Sequence, residues 1–130
     1  MEIIKRTGIS RILYAGLNTY NGLRHNFIHE AAIRQEIIAA TIMIPFACWL
    51  DVSTSERLLM ICSVLLVIIV ELLNTAIEAT VDRIGLDFHE LSGLAKDTGS
   101  AAVFFSLLLC SIVWLVIGIP LIDLQALSIL

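Results

Sequence analysis

Four polar residues in the middle of the chain have the spacing of a single helix face. Glu71, Asn74, Glu78 and Asp82 follow one another at steps of three and four residues. Residues at such steps lie above one another on an α-helix, because each residue advances the chain by ~100°. Three carboxylates on one face repel one another, so this acid stripe predicts a bound cation or a retained proton.

The acid stripe begins where a strongly apolar segment, residues 58–70, ends. An unpaired charge at the centre of a membrane helix costs at least ~2.5–3.5 kcal/mol, and ionisable residues there are functional candidates by default. The alternative interpretation is a structural network, in which the acids pair with Arg34 or Lys96 of neighbouring helices.

Two further acids, Glu30 and Glu36, flank the start of an earlier apolar segment, with Arg34 between them. If an antiparallel arrangement brings Glu30 to the level of Glu78, the two carboxylates suit a hard divalent cation such as Mg²⁺. This ion usually keeps waters and phosphate oxygens rather than a complete protein cage. Glu36 is interpreted equally well as a functional acid or as a polar partner of Arg34.

Small residues and one lysine precede the last apolar run. Gly93, Ala95 and Gly99 allow helices to approach closely, and a helix N-terminus beside Lys96 favours phosphate. Asp97 either binds metal or pairs with that lysine. Close packing alone explains the small residues but not the lysine. The sequence contains neither GxxxxGK[ST] nor GxGxxG, so a familiar soluble phosphate-binding loop is excluded.

The composition indicates an integral membrane protein. Apolar residues make up 58% of the 130 residues and charged residues 15%, against ~45–50% and ~25% in soluble domains. The net charge of −4, without a basic run, argues against nucleic-acid binding. The cysteines lack disulfide or metal-ligand spacing and are predicted to be inert buried thiols: Cys48, Cys62 and Cys110.

Three uncharged apolar runs, residues 37–50, 58–70 and 98–122, predict three transmembrane helices. We expect one membrane domain over residues 1–130, with spans at about 30–50, 55–83 and 92–120. Ser53 and Glu56 have capping-box spacing at a short hairpin turn, while Gly85 and Ser92 mark the ends of the second connection. An amphipathic segment at about 8–27 is predicted to lie in the membrane interface, with packing against the bundle as the alternative.

Lysine and arginine are distributed unevenly about these spans. Those before the first span and in the second connection are Lys5, Arg6, Arg11, Arg24, Arg34, Arg83 and Lys96. Arg57 alone lies on the opposite side, and none follows the third span. The positive-inside rule therefore predicts a cytoplasmic N-terminus, with Trp49 and Trp114 near the outer boundary.

The sequence resembles the bacterial membrane diacylglycerol kinase family over roughly residues 8–114. The resemblance is carried by VELLNTAIEATVDRIGLDFHELSGLAKDTGSAAV, HEAAIRQE and CWLDV. It implies a homotrimer of three-helix subunits in the bacterial inner (cytoplasmic) membrane. The implied reaction transfers the γ-phosphate of ATP, with Mg²⁺, to diacylglycerol at the cytoplasmic face. Tyr14, Tyr20 and Asn21 depart from the family pattern, which affects the surface helix only.

The resemblance also implies individual roles. Glu71 would be the general base on the lipid hydroxyl, and Glu30 and Glu78 would bind the divalent metal. The ATP-binding residues would be Arg11, Asn18, Glu30, Asn74, Glu78, Asp87, Phe88, His89, Lys96 and Asp97. The lipid-binding residues would be Arg24, Arg34, Gln35, Glu36, Trp49, Asp51, Arg57, Glu71, Ser100 and Trp114.

Three other functions remain open at this point. A closely related one is a kinase that acts on undecaprenol rather than diacylglycerol. A non-enzymatic oligomeric channel or proton conductor would also use membrane carboxylates, but it leaves Lys96 unexplained. A purely structural scaffold would use Glu71 for stability alone.

Overall fold

The chain forms four α-helices over the part that the computed structural model describes, residues 7–85 and 87–127. The helices are α1 (Gly8–His29), α2 (Ala31–Trp49), α3 (Thr54–Ile84) and α4 (Glu90–Leu127). By length and composition, α2, α3 and α4 each contain a stretch that can cross a membrane. The predicted fold class, all-α with three candidate spans after an N-terminal helix, is confirmed.

The apolar face of α1 is not covered by the rest of the described subunit. Ile9 is 78% exposed, Leu17 and Tyr20 are also exposed, and no residue of the helix is buried. Packing of this face against the bundle, the alternative interpretation, is therefore not observed within one subunit. An uncovered apolar face suits the predicted place in the membrane interface.

The turn between α2 and α3 is stabilised by side chains on both of its sides. Ser53 Oγ accepts the Glu56 amide, and the Glu56 carboxylate accepts the Ser53 amide at 2.8 Å, so the predicted capping box is present. Arg57 donates from Nε to Ala47 O at 3.3 Å and from Nη2 to Leu50 O at 3.1 Å. The guanidinium thereby satisfies carbonyls that the end of α2 leaves without intrahelical partners.

The core lies where α3 packs against α2 and α4. Its buried apolar residues form two groups, one of Ala40, Val64, Val67 and Cys110, the other of Ala47, Met60 and Ile117. Trp114 borders both groups, stacks on Phe46 with ring centroids 6.4 Å apart, and donates Nε1–H to Met60 O at 3.3 Å. This tryptophan therefore ties α4 to both helices of the hairpin.

The cysteines correct one prediction. Cys110 is buried, but Cys48 and Cys62 are exposed within the described subunit. Their neighbours Ala47 and Ser63 are the residues that face the core. Because adjacent residues of a helix point ~100° apart, burial of Ala47 and Ser63 turns the two thiols outward.

The second connection begins as predicted but ends differently. Gly85 is the C-cap of α3, in agreement with the sequence analysis. His89, rather than Ser92, caps α4: its Nδ1 accepts the Leu91 amide at 3.2 Å, and its carbonyl accepts the Gly93 amide at 3.0 Å. The prediction that Ser92 caps the helix is wrong, because the imidazole already receives one of the unpaired first-turn donors.

Both ends of α4 lie outside the predicted limits. The helix begins at Glu90 and continues to Leu127, past the expected end near residue 120. Residues 121–127 contain neither glycine nor proline that would stop it. A proline such as Pro120 is tolerated within a membrane helix.

We predict that Arg57→Met lowers the free energy of unfolding by roughly 1.5–3 kcal/mol, because two α2 carbonyls lose a charged donor. Thermal unfolding in detergent measures the change. Arg83→Met is the matched control, because none of the described hydrogen bonds involves Arg83. Equal unfolding temperatures for the two variants would contradict a clamping role for Arg57.

Candidate active site

The acid stripe runs along α3 from the protein interior to its surface. Glu71 and Asn74 are each 8% exposed, Glu78 is half-buried, and Asp82 is exposed. The spacing of three and four residues keeps all of them on one face of α3. The deep end of the stripe is thus shielded from solvent, whereas the end next to the second connection is open.

Glu71 lies in a cluster of negative charge. It is close enough to Glu78 and Glu30 to be repelled by both, and Glu36 of α2 is repelled by Glu71 in turn. Among the described residues, no hydrogen bond or ion pair reaches the Glu71 carboxylate. Oε2 of Glu36 is also buried without a hydrogen-bond partner. The described subunit therefore supplies Glu71 and Glu36 with no salt bridge.

Asn74 lies between Glu71 and Glu78 in the acid stripe. Its Nδ2 donates to Glu78 Oε1 at 3.1 Å. Its Oδ1 is buried and accepts no hydrogen bond in the described subunit. The amide thus restrains the Glu78 carboxylate and leaves one acceptor oxygen without a donor, which is costly unless a ligand or ion reaches it.

Lys96 of α4 pairs with the exposed end of the stripe. Its Nζ lies 2.5 Å from Asp82 Oδ1, and both side chains are substantially exposed. The structural network considered from the sequence is therefore present for Asp82 alone. Asp97, the other proposed partner of Lys96, is exposed and does not pair with it.

Two open clefts meet at Asp82. One, of about 340 Å³, lies between the end of α1 and α3 and is lined by His25, Asn26, Glu30, Leu72, Thr75, Ala76, Glu78, Ala79 and Asp82. The other, of about 400 Å³, is lined by Val81, Asp82, Gly85, Asp87, Phe88, His89, Ser92, Gly93 and Lys96. The predicted metal pair, Glu30 and Glu78, shares the first cleft, and the predicted loop residues share the second with Lys96.

The junction of α1 and α2 fixes Glu30 at the first cleft. Glu30 has extended backbone angles and donates its amide to Asn26 O at 2.8 Å. Arg34 donates from Nη1 to Phe27 O at 3.3 Å and to Ile28 O at 3.4 Å. These bonds cap the last carbonyls of α1, so Arg34 sets the direction in which α1 leaves the bundle and does not pair with Glu36 in the described subunit.

Comparisons with known proteins identify the family of this chain. The family model of prokaryotic diacylglycerol kinases matches residues 18–118. A diacylglycerol kinase of Escherichia coli strain K12 is 52% identical over 111 residues, which cover 85% of this chain and 91% of that protein. The chain belongs to the prokaryotic diacylglycerol kinase family.

More distant relatives carry the same description. A diacylglycerol kinase of Pseudomonas aeruginosa is 50% identical over 109 residues, covering 84% of this chain and 89% of that protein. One of Helicobacter pylori strain 26695 is 36% identical over 110 residues, covering 85% and 86%. Membership in this family makes the chain a lipid kinase, whose reaction requires a nucleotide.

From the sequence we expect a metal bound together with phosphate at this site. The described residues contain no group of three or more histidine, cysteine or acidic side chains arranged to hold a metal ion. Glu30 and Glu78 nevertheless share one cleft, and Asn74 Nδ2 donates to the Glu78 carboxylate. Few protein oxygens, completed by water and phosphate, are what Mg²⁺ usually takes.

Several sequence-predicted residues are not brought to the acid cluster within one subunit. The exposed ones on α1, α2 and α4 are Arg11, Asn18, Arg24, Gln35, Asp97 and Ser100. Four lie at or toward the opposite end of the bundle: Trp49, Asp51, Arg57 and Trp114. Their contacts with nucleotide or lipid stay predictions.

Sequence reasoning gave no individual role to four residues that the structure places at the site. Asp82 pairs with Lys96, His25 and Asn26 line the first cleft, and Gly99 lies against Asn74. Membership in the stripe pointed to Asp82. Nothing in the spacing distinguishes Asn26 or Gly99, because their positions depend on how the helices pack.

We predict that Glu71→Gln raises the free energy of unfolding by about 1 kcal/mol or more, because it removes a buried, uncompensated carboxylate from a repulsive cluster. Thermal unfolding in detergent tests this. Glu90→Gln, an exposed acid in the first turn of α4, is the control and should give no increase. A lower unfolding temperature for Glu71→Gln than for the parent would contradict the described electrostatics.

Proposed function

We propose that this chain transfers the γ-phosphate of ATP to diacylglycerol, giving phosphatidic acid and ADP, with Mg²⁺ bound beside the nucleotide. The observation that carries the proposal is the position of Glu71. This buried acid stands at the deep end of a stripe whose open end meets two clefts and Lys96. A membrane lipid reaches such a site from the side, and a soluble nucleotide from the open end.

The open end supplies the groups that a nucleotide needs. Glu30 and Glu78 would hold the metal, which would supply positive charge to neutralise the phosphates. Lys96 contributes positive charge to the phosphates. When phosphate oxygens replace Asp82 as its partner, Lys96 stays at the same cleft. Asn74 keeps Glu78 oriented through its 3.1 Å hydrogen bond. Asp87, Phe88 and His89 line the cleft on the side where the nucleotide enters.

The deep end supplies the base. Glu71 accepts the proton of the lipid hydroxyl while the hydroxyl oxygen forms a bond to the γ-phosphorus. The bond from that phosphorus to the oxygen bridging it to ADP breaks in the same transfer, and ADP carries away the electron pair. Repulsion by Glu30, Glu36 and Glu78 favours the proton-accepting role, since a carboxylate surrounded by negative charge gains from neutralisation.

We assign the site to the cytoplasmic face of the bacterial inner membrane. The basic residues toward the open end of the site are Arg11 and Arg24 of α1, Arg34 at the start of α2, Arg83 at the end of α3 and Lys96 near the start of α4, whereas Arg57 stands alone at the other end. This asymmetry supports a cytoplasmic N-terminus by the positive-inside rule. ATP is available on that side.

We also assign a homotrimer, with residues from neighbouring copies completing each site. Two features of the described subunit support an assembly. Its clefts are open, and the acids of the cluster lack cationic partners while Arg11 and Arg24 of α1 are exposed. Residues of α1 from a neighbouring copy are suitable partners for the phosphates. Asp97 from a neighbouring copy is a suitable ligand for a metal.

The central test of the base is the Glu71→Gln variant. We expect its rate of phosphatidic acid formation to fall by about 10²–10⁴-fold, because general acid–base groups contribute that much. Transfer of label from γ-labelled ATP in diacylglycerol micelles measures the rate, and size-exclusion chromatography checks the oligomer. Glu90→Gln should keep the parent rate. Full activity in Glu71→Gln would remove Glu71 from the mechanism.

The metal pair is tested by binding rather than turnover. We expect Glu30→Gln and Glu78→Gln each to weaken Mn²⁺ binding in the presence of ATP by about tenfold or more, because each removes an anionic oxygen ligand. Electron paramagnetic resonance of free Mn²⁺ measures the affinity, and chelation of the metal should stop turnover until Mg²⁺ is restored. Unchanged Mn²⁺ affinity in both variants would place the metal elsewhere.

A further inference from the structure

Gly99 is set apart from the other glycines of the chain. A Cβ atom built on Gly8, Gly16, Gly22, Gly85, Gly93 or Gly118 would meet nothing within 4 Å. On Gly99, which is buried in α4, it would overlap Oδ1 of Asn74. Gly99 is therefore the point at which α4 approaches Asn74 of the acid stripe most closely among the glycines.

The conflict at Gly99 involves the Asn74 amide and not the helix backbone. The added Cβ would lie 3.4 Å from Cγ of Asn74 and 4.0 Å from its Cα, both ordinary separations compared with the overlap at Oδ1. α3 and α4 can therefore keep their spacing if an alanine replaces Gly99. What must move is the amide plane of Asn74.

The Asn74 amide is held from two sides. Nδ2 donates to Glu78 Oε1 at 3.1 Å, and Oδ1 lies against Gly99, where it accepts no hydrogen bond among the described residues. Since Oδ1 and Nδ2 belong to one rigid plane, a rotation that moves Oδ1 away from α4 also moves Nδ2. The surface of Gly99 and the bond to Glu78 thus define one orientation of the amide.

We infer that Gly99 is a positioning residue, whose missing side chain sets the Asn74 amide so that it holds the Glu78 carboxylate at the cleft shared with Glu30. The inference rests on the proposed function in one respect, the role of Glu78 as a metal ligand. It goes further by assigning to α4 a control over metal affinity that passes through Asn74. Partners of metal ligands typically change affinity by 10–100-fold when they are altered.

The test is a double-mutant cycle read by Mn²⁺ affinity in the presence of ATP and without lipid. Gly99→Ala should weaken Mn²⁺ binding by about tenfold, and Asn74→Ala by a similar factor. In the Asn74→Ala background the alanine at position 99 has no amide to displace, so the second substitution should change the affinity by less than about twofold. Gly118→Ala, a glycine of the same helix with open space around it, is the control and should bind like the parent.

Each outcome of the cycle decides the inference. If the losses of Mn²⁺ affinity caused by Gly99→Ala and Asn74→Ala multiply in the double variant, Gly99 acts independently of the amide and the inference is overturned. If Gly99→Ala does not fold, recovery of the folded oligomer in the double variant supports the inference, and failure of both variants overturns it. A parent protein that shows no lipid phosphorylation but keeps the non-additive Mn²⁺ effect refutes the proposed function and leaves the inference standing. No Mn²⁺ binding by the parent overturns both.

Discussion

Repulsion among carboxylates that are partly withdrawn from water is the constraint that the rest of the structure must withstand. Glu71 is buried near Glu30 and Glu78, Glu36 lies beside it on α2, and no salt bridge within the described subunit reaches any of the four. A soluble protein would avoid such an arrangement, and in a membrane helix its cost is larger. The free energy stored in this repulsion favours whatever neutralises it: a metal, phosphate-bound cations, or a proton taken from a substrate. The same carboxylates therefore serve the function and lower the stability of the fold, as is common at active sites.

The rest of the fold keeps these acids where they are. The capping box and Arg57 fix the hairpin at one end, and Trp114 ties α4 to it. At the other end, Arg34 caps α1 and directs Glu30 into the first cleft, while His89 begins α4 so that Lys96 reaches Asp82. Hydrogen bonds between polar side chains and backbone carbonyls or amides thus fix the two ends of the bundle. Apolar contacts between the helices fix their relative register. The acids themselves stabilise none of it.

The sequence predicted those features that depend on positions within one helix. The stripe of Glu71, Asn74 and Glu78, the capping box at Ser53, and the end of α3 at Gly85 all follow from spacing of three or four residues or from local backbone chemistry. Pairing of a stripe acid with Lys96 was anticipated only as an alternative, without naming Asp82 as the partner. Two features that depend on how helices meet were not predicted: Gly99 against Asn74, and the outward turn of Cys48 and Cys62. The predicted cap of α4 at Ser92 was also wrong, because propensity favours serine as a cap while the His89 imidazole accepts the Leu91 amide locally. The meeting of Glu30 and Glu78 in one cleft was predicted only on the condition of an antiparallel hairpin, which the structure satisfies.

The central claim is that this charge cluster serves phosphoryl transfer to a membrane lipid. The most direct measurement is transfer of label from γ-labelled ATP, with and without Mg²⁺, to diacylglycerol and to undecaprenol offered separately in mixed micelles. The account predicts labelled phosphatidic acid as the main product, formed only when Mg²⁺ is present. Label moving mainly to undecaprenol would contradict the assigned lipid and keep the mechanism. No transfer to either lipid by folded protein would contradict the account and favour a channel or a scaffold.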